Sequence, residues 1–137
     1  MTDEQITEIA DAFDCGLRCY VHKENGTIVT IPDMLDEADD SEPWDNSIKE
    51  IEEHSDKYVQ IERMDSNGSF RLMTDFVSTI EDYRLRHKFD QILTEHKPFR
   101  NFKIAVDNSG PYRQKWFDFK RGQLIEWVKW QLIEKGL

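Results

Sequence analysis

Ile6, Ile9, Ala10 and Phe13 recur at i, i+3, i+4 and i+7, which places them on one face of a helix. Thr2 and Gln5 precede them in a T-x-x-Q capping box, where each side chain satisfies one otherwise open backbone donor. Gly16 predicts the end of that helix. The period then shortens to two. Residues 18–22 and 27–31 are β-favouring and flank Lys23-Glu24-Asn25-Gly26. Asn-Gly accepts the positive φ angles of a tight type I′ turn, so a hairpin is expected. With Asn25-Gly26 as its turn, Tyr20 should face Ile31 and His22 should face Val29. Cys19, Val21, Ile28 and Thr30 should then share the opposite face. Pro32 predicts the end of the second strand. Ser47 and Glu50 suggest a second capping box, opening a short helix with Ile48 and Ile51 that stops near His54. Val59 and Ile61 alternate with polar residues in a third strand over 58–64, and Asp65-Ser66-Asn67-Gly68 reads as a turn.

Beyond that point the period is 3.6. Leu72, Met73, Phe76, Val77 and Ile80 form one helical face, and Leu85, Phe89, Ile92 and Leu93 form another. Pro98 suits the first turn of a helix carrying Phe99, Phe102, Ala105 and Val106. Pro111 opens a last helix that can run to Lys135, with Gly136 just past its end and Gly122 as a weak point within it. The expected fold is α+β: a small antiparallel sheet of about three strands, including a hairpin, packed with a helix-rich C-terminal half. No composition break divides the chain, so residues 1–137 are expected to form a single domain.

Charge alters this picture, because the net −10 is unevenly spread. Residues 1–56 hold 17 acidic and 3 basic side chains, whereas residues 97–137 hold 4 acidic and 9 basic. The acidic part argues against general nucleic-acid binding. Asp33, Asp36, Glu37, Asp39, Asp40, Glu42 and Asp45 make residues 33–46 a strongly acidic loop or short helix, with Trp44 as its anchor. No glycine lies between Gly26 and Gly68, so the sharp bend of a calcium loop is missing. A solvated acidic surface suited to a basic partner is expected instead. No apolar run approaches the ~20 residues of a membrane helix. The N-terminus lacks the apolar run of a secretory signal, so a cytoplasmic protein with no membrane partner is expected. Cys15 and Cys19 are too few for a disulfide framework and are not spaced as a redox pair, which fits a reducing compartment.

Catalytic patterns are missing. His22, His54, His87 and His96 do not have zinc-helix spacing, and no phosphate-cradling glycine loop or G-x-S-x-G is present. No cofactor, metal or catalytic residue is predicted, and the enzyme reading ranks last. The C-terminal segment is the richest. Arg100, Lys103, Arg113, Lys120 and Arg121 interleave with Phe99, Phe102, Trp116 and Phe119. Cations neutralise phosphates and aromatic rings stack on unpaired bases, so this composition suits single-stranded nucleic acid. The i, i+3 spacing of Phe99 with Phe102 and of Trp116 with Phe119 equally suits a helical core, and packing is the preferred reading. Trp127 and Trp130, beside Leu124, Val128 and Leu132, make the last helix apolar over a wide arc. Such an arc is either central to the fold or offered to a partner. The partner-binding candidates are therefore Arg100, Lys103, Arg113, Trp116, Lys120, Arg121, Trp127 and Trp130. The expected function is a non-catalytic intracellular module. It binds another protein, or a second copy of itself, through the acidic loop or the last helix. A nucleic-acid-associated regulator using the basic segment is the alternative.

Pro98-Phe99-Arg100-x-Phe102-Lys103 followed by Arg113-x-x-Trp116-x-x-Phe119 resembles the C-terminal signature of an uncharacterised family of short bacterial proteins. Ile31-Pro32-Asp33 and Asp75-Phe76 are similar to the same family, and the resemblance runs from the hairpin to the C-terminus. It implies a bacterial source and a recurring domain. The family has no assigned activity, so the resemblance implies no catalytic residue.

Overall fold

The structure, a computed structural model, describes residues 1–32 and 42–137. These contain α1 (Asp3–Asp14), β1 (Leu17–His22), β2 (Ile28–Pro32), α2 (Asp45–Glu53), β3 (Tyr58–Ile61), α3 (Ser66–Ser78), α4 (Tyr83–Thr94), α5 (Pro98–Asp107) and α6 (Pro111–Glu134). Short 3-10 turns precede α2 and β3. The three strands form one antiparallel sheet in the order β2-β1-β3, and helices dominate the C-terminal half, so the fold is α+β as expected. Most of the acidic stretch, residues 33–41 with Met34 and Leu35, lies outside the described residues.

The chain packs as two compact units. One comprises Met1–Arg63 and Leu124–Leu137, the other Met64–Gln123. In the first unit, α1 starts on the expected capping box. The Gln5 N–H donates to Thr2 Oγ1 at 3.2 Å, and the Thr2 N–H donates to Gln5 Oε1 at 3.0 Å. Gly16, at φ +76°, turns the chain into β1. Ile6, Ile9, Ala10 and Phe13 are buried, as are Cys19, Val21 and Ile61 on one face of the sheet. On the other face Tyr58 is buried. Its hydroxyl donates to Glu50 Oε1 on α2 at 3.0 Å. Burial, and then the adjacent carboxylate, push its pKa above the ordinary phenol value.

Three local expectations need correction. In the hairpin, Tyr20 faces Val29 and Val21 faces Ile28, a register displaced by two residues from that of an Asn-Gly turn. Side chains hold the longer turn. His22 Nδ1 accepts from the N–H groups of Glu24 and Asn25, Asn25 Oδ1 accepts from the Thr27 N–H, and the His22 carbonyl accepts from the Gly26 N–H. An even displacement keeps every side chain on its expected face. The Ser47–Glu50 box does not form, because α2 begins earlier, at Asp45, and Glu50 faces Tyr58 instead. The turn expected at residues 65–68 is the first turn of α3. Asp65 Oδ1 accepts the Gly68 N–H at 2.7 Å, so the Asp that would have closed a turn caps a helix.

The second unit is built on aromatic rings. Phe76, Phe89, Phe102 and Trp116 are buried with Leu72, Met73, Val77, Ile80, Leu93, Ala105 and Val106. Centroid distances of 5.3 Å for Phe89–Phe102, 5.0 Å for Phe102–Trp116 and 5.2 Å for Phe76–Trp116 join four helices through tilted and edge-on contacts. Asp82 caps α4 by accepting from the N–H groups of Arg84 and Leu85. Pro98 opens α5 after Lys97, whose φ of 54° is left-handed. α6 belongs to the second unit in its first part and to the first unit in its last. It ends one residue before the expected Lys135. The Gly136 N–H bonds to the Ile133 carbonyl and the Leu137 N–H to the Leu132 carbonyl, with Gly136 at φ +72°. This is the Schellman closure.

Gly122 does not interrupt α6, and a Cβ there would meet no atom within 4 Å. Gly122→Ala should therefore stabilise the protein by about 1 kcal/mol through reduced backbone freedom in the unfolded chain. A higher denaturant midpoint with an unchanged slope would record that gain.

Candidate interaction surfaces

Glu62 follows the last residue of β3, and its two backbone groups bond to side chains of α6. Its N–H donates to Gln131 Oε1 at 2.8 Å, and its carbonyl accepts from Gln131 Nε2 at 2.6 Å. The same carbonyl accepts from Trp127 Nε1 at 2.8 Å. A carboxamide is a peptide group in miniature, so Gln131 satisfies Glu62 as a neighbouring strand would. β3 itself ends at Ile61, short of the expected Met64. Gln131 is 3% exposed, and the sequence reading passed it over. The available signal was a polar residue set among Leu124, Val128 and Leu132, all of which are buried.

Trp127 and Gln131 are one helical turn apart and so reach the same backbone group. The anchored indole of Trp127 stacks on Trp130, with centroids 5.4 Å apart and planes 22° from parallel. Trp130 is 54% exposed, and Ile133, one turn further on, is 80% exposed. The wide apolar arc of α6 thus divides. Leu124, Val128 and Leu132 are buried, whereas Trp130 and Ile133 face solvent.

The basic candidates lie in the second unit. Arg100 and Lys103 are exposed on α5 beside the half-exposed Phe99 and Ile104. Arg113, in the first turn of α6, lies 3.4 Å from Asp107 and 4.8 Å above the Phe117 ring. Trp116 is held in the aromatic core. Lys120 is half-buried and Arg121 exposed further along the same helix. Arg100 and Lys103 share a helix face, Arg113 is paired with Asp107, and Trp127 and Trp130 belong to the other unit. A shallow cleft of about 300 Å³ in the second unit is lined by Phe76, Thr79, Glu81, Tyr112, Lys115 and Phe119.

Cys19 is fully buried, with its Sγ 4.0 Å from the Ile9 carbonyl oxygen, whereas Cys15 is exposed. Burial, and secondarily Glu8, push the Cys19 thiol up to about 12. Among the described residues, no three His, Cys, Asp or Glu side chains gather as metal ligands. No helix among them is long and apolar enough to cross a membrane.

Three outcomes are expected. Gln131→Leu should cost about 1–3 kcal/mol of stability, since it removes two hydrogen bonds to the Glu62 backbone and leaves a buried apolar group beside them. Chemical denaturation of both proteins would measure the loss. A disulfide reagent at neutral pH should modify Cys15 in the folded protein and reach Cys19 only on unfolding. The folded Cys19 retains its proton where the unfolded thiol, with a pKa near 9, has lost it. Its contribution to stability should therefore fall as pH rises from about 9 towards 12, readable as a lower Tm that Cys19→Ala does not share.

The model of an uncharacterised protein family, UPF0158, matches residues 2–135. A member of that family from Pseudomonas aeruginosa is 24% identical over 124 residues, covering 90% of this chain and 76% of its own. No solved structure matches the chain. With the family model spanning almost its whole length, the chain belongs to the uncharacterised protein family UPF0158.

Proposed function

We propose that this protein is a non-catalytic interaction module that binds another protein through the outer face of the last turns of α6. The observation that carries the reading is the Trp127–Trp130 stack: one indole is hydrogen-bonded to Glu62, and it supports a second that is 54% exposed. A large aromatic side chain held in place before binding loses little conformational freedom on association, which is why tryptophan dominates binding hot spots. Ile133 extends the apolar surface by one turn.

Charge supports a partner of defined chemistry. The unit that carries this face holds 20 acidic and 7 basic side chains, so a basic surface with an apolar centre complements it. The nucleic-acid alternative has less support: of its basic and aromatic set, Trp116 is buried and Arg113 is paired with Asp107. The reading extends to a bacterial cytoplasmic setting, supported by the Pseudomonas relative and by two unbridged cysteines.

The test is capture from a nuclease-treated bacterial lysate on immobilised wild type and on Trp130→Glu. Wild type should retain a protein that the variant loses, with an unchanged circular dichroism spectrum. Equal retention on both would refute the reading. If Trp130→Glu unfolds, Ile133→Glu, at an 80% exposed position, takes its place with the same two outcomes.

A further inference from the structure

We infer that the outward face of α5 docks an acidic, apolar peptide segment of a partner protein. This inference stands apart from the α6 reading, since the two surfaces belong to different units. Phe99, Arg100, Lys103 and Ile104 sit at i, i+1, i+4 and i+5, so they form one contiguous patch opposite the buried Phe102, Ala105 and Val106. Phe99 is 44% exposed and Ile104 51% exposed, two apolar side chains that flank the two cations around the helix. The Phe99 ring is backed edge-on by Phe70, with centroids 6.3 Å apart, which gives the patch a firm apolar floor.

The cations are available. Among the described residues neither Arg100 nor Lys103 has an ion-pair partner. Asp107, one turn beyond Lys103, could have neutralised it, but its carboxylate lies 3.4 Å from Arg113 Nε. The unit as a whole holds 11 basic and 8 acidic side chains, a local excess of positive charge in a protein of net −10. Long-range attraction and local pairing therefore favour the same kind of ligand.

Two apolar side chains beside two cations match a peptide in which leucine or phenylalanine alternates with aspartate or glutamate. The apolar groups bury Phe99 and Ile104, while the carboxylates meet the Arg100 fork and the Lys103 ammonium. Single-stranded nucleic acid fits less well. Stacking needs aromatic faces, Ile104 has none, and Phe99 is the patch's one exposed ring.

The experiment is fluorescence anisotropy of the full chain with a labelled synthetic peptide in which aspartates alternate with leucines and phenylalanines. An all-aspartate peptide and a labelled oligouridylate of equal charge serve as comparators. The alternating peptide should bind more tightly than either. Arg100→Glu with Lys103→Glu should weaken it at least about tenfold, and the uncharged Ile104→Ser should weaken it while sparing the all-aspartate peptide. No binding of the alternating peptide, equal binding by the charge-reversed variant, or tighter binding of the oligouridylate would each overturn the inference. Arg100→Gln with Lys103→Gln, a milder change at exposed positions, decides the question if the reversal disturbs the fold. Trp130→Glu should leave this binding unchanged, which separates its failure from that of the α6 reading.

Discussion

The contact between the Gln131 carboxamide and the Glu62 backbone closes the first unit. A strand end leaves peptide groups that need partners, from water or from the protein. Gln131 answers both the donor and the acceptor of one peptide residue, with Trp127 adding a second donor at the same carbonyl. Gln131 is buried, at 3% exposed, whereas Glu62 lies at the surface, so the contact spans the edge of the core. The orientation of α6 about its own axis follows: with Gln131 and Trp127 facing Glu62, Trp130 and Ile133 are left to solvent. The exposed stripe is thus a by-product of where the polar clasp must point.

The second unit relies on a different principle. The rings that join its helices meet at angles rather than face to face, so each helix is keyed to its neighbours by shape and quadrupole together. That core takes Trp116 and Phe102 from the aromatic-basic segment and leaves the cations outside it. The composition that suggested nucleic acid therefore separates into an apolar interior and a charged exterior, and α5 carries both on its two faces.

Much of this architecture was legible in the sequence. Helical spacing located α1, α3, α4, α5 and α6, and the Asn-Gly pair marked the hairpin. The errors cluster where a side chain competes with the backbone pattern. His22 and Asn25 bond to turn amides and lengthen the turn, which no propensity for Asn-Gly foretells. Asp65 makes the same short-range bond in a turn and at a helix cap, so its sequence could not distinguish them. The α6 surface was half legible. A wide apolar arc left open whether it was central to the fold or offered to a partner, and the side that faces solvent depended on Gln131 meeting Glu62, 69 residues away. The α5 patch was hidden for a related reason. Whether Lys103 is neutralised by Asp107 on its own helix depends on Arg113, which reaches that carboxylate from α6.

The first unit is interrupted in sequence by the second, and this gives the two different histories on the ribosome. Met64–Gln123 is one unbroken stretch of helices, so it can assemble from near neighbours as it emerges. The end of β3 has no such freedom. Glu62 leaves the exit tunnel long before Gln131 is synthesised, and until then the end of β3 is an open edge of the kind that recruits other chains. The nascent protein passes through an interval in which its three strands are made and the helical turn that meets Glu62 is not. Translation speed across the intervening helices sets how long that interval lasts.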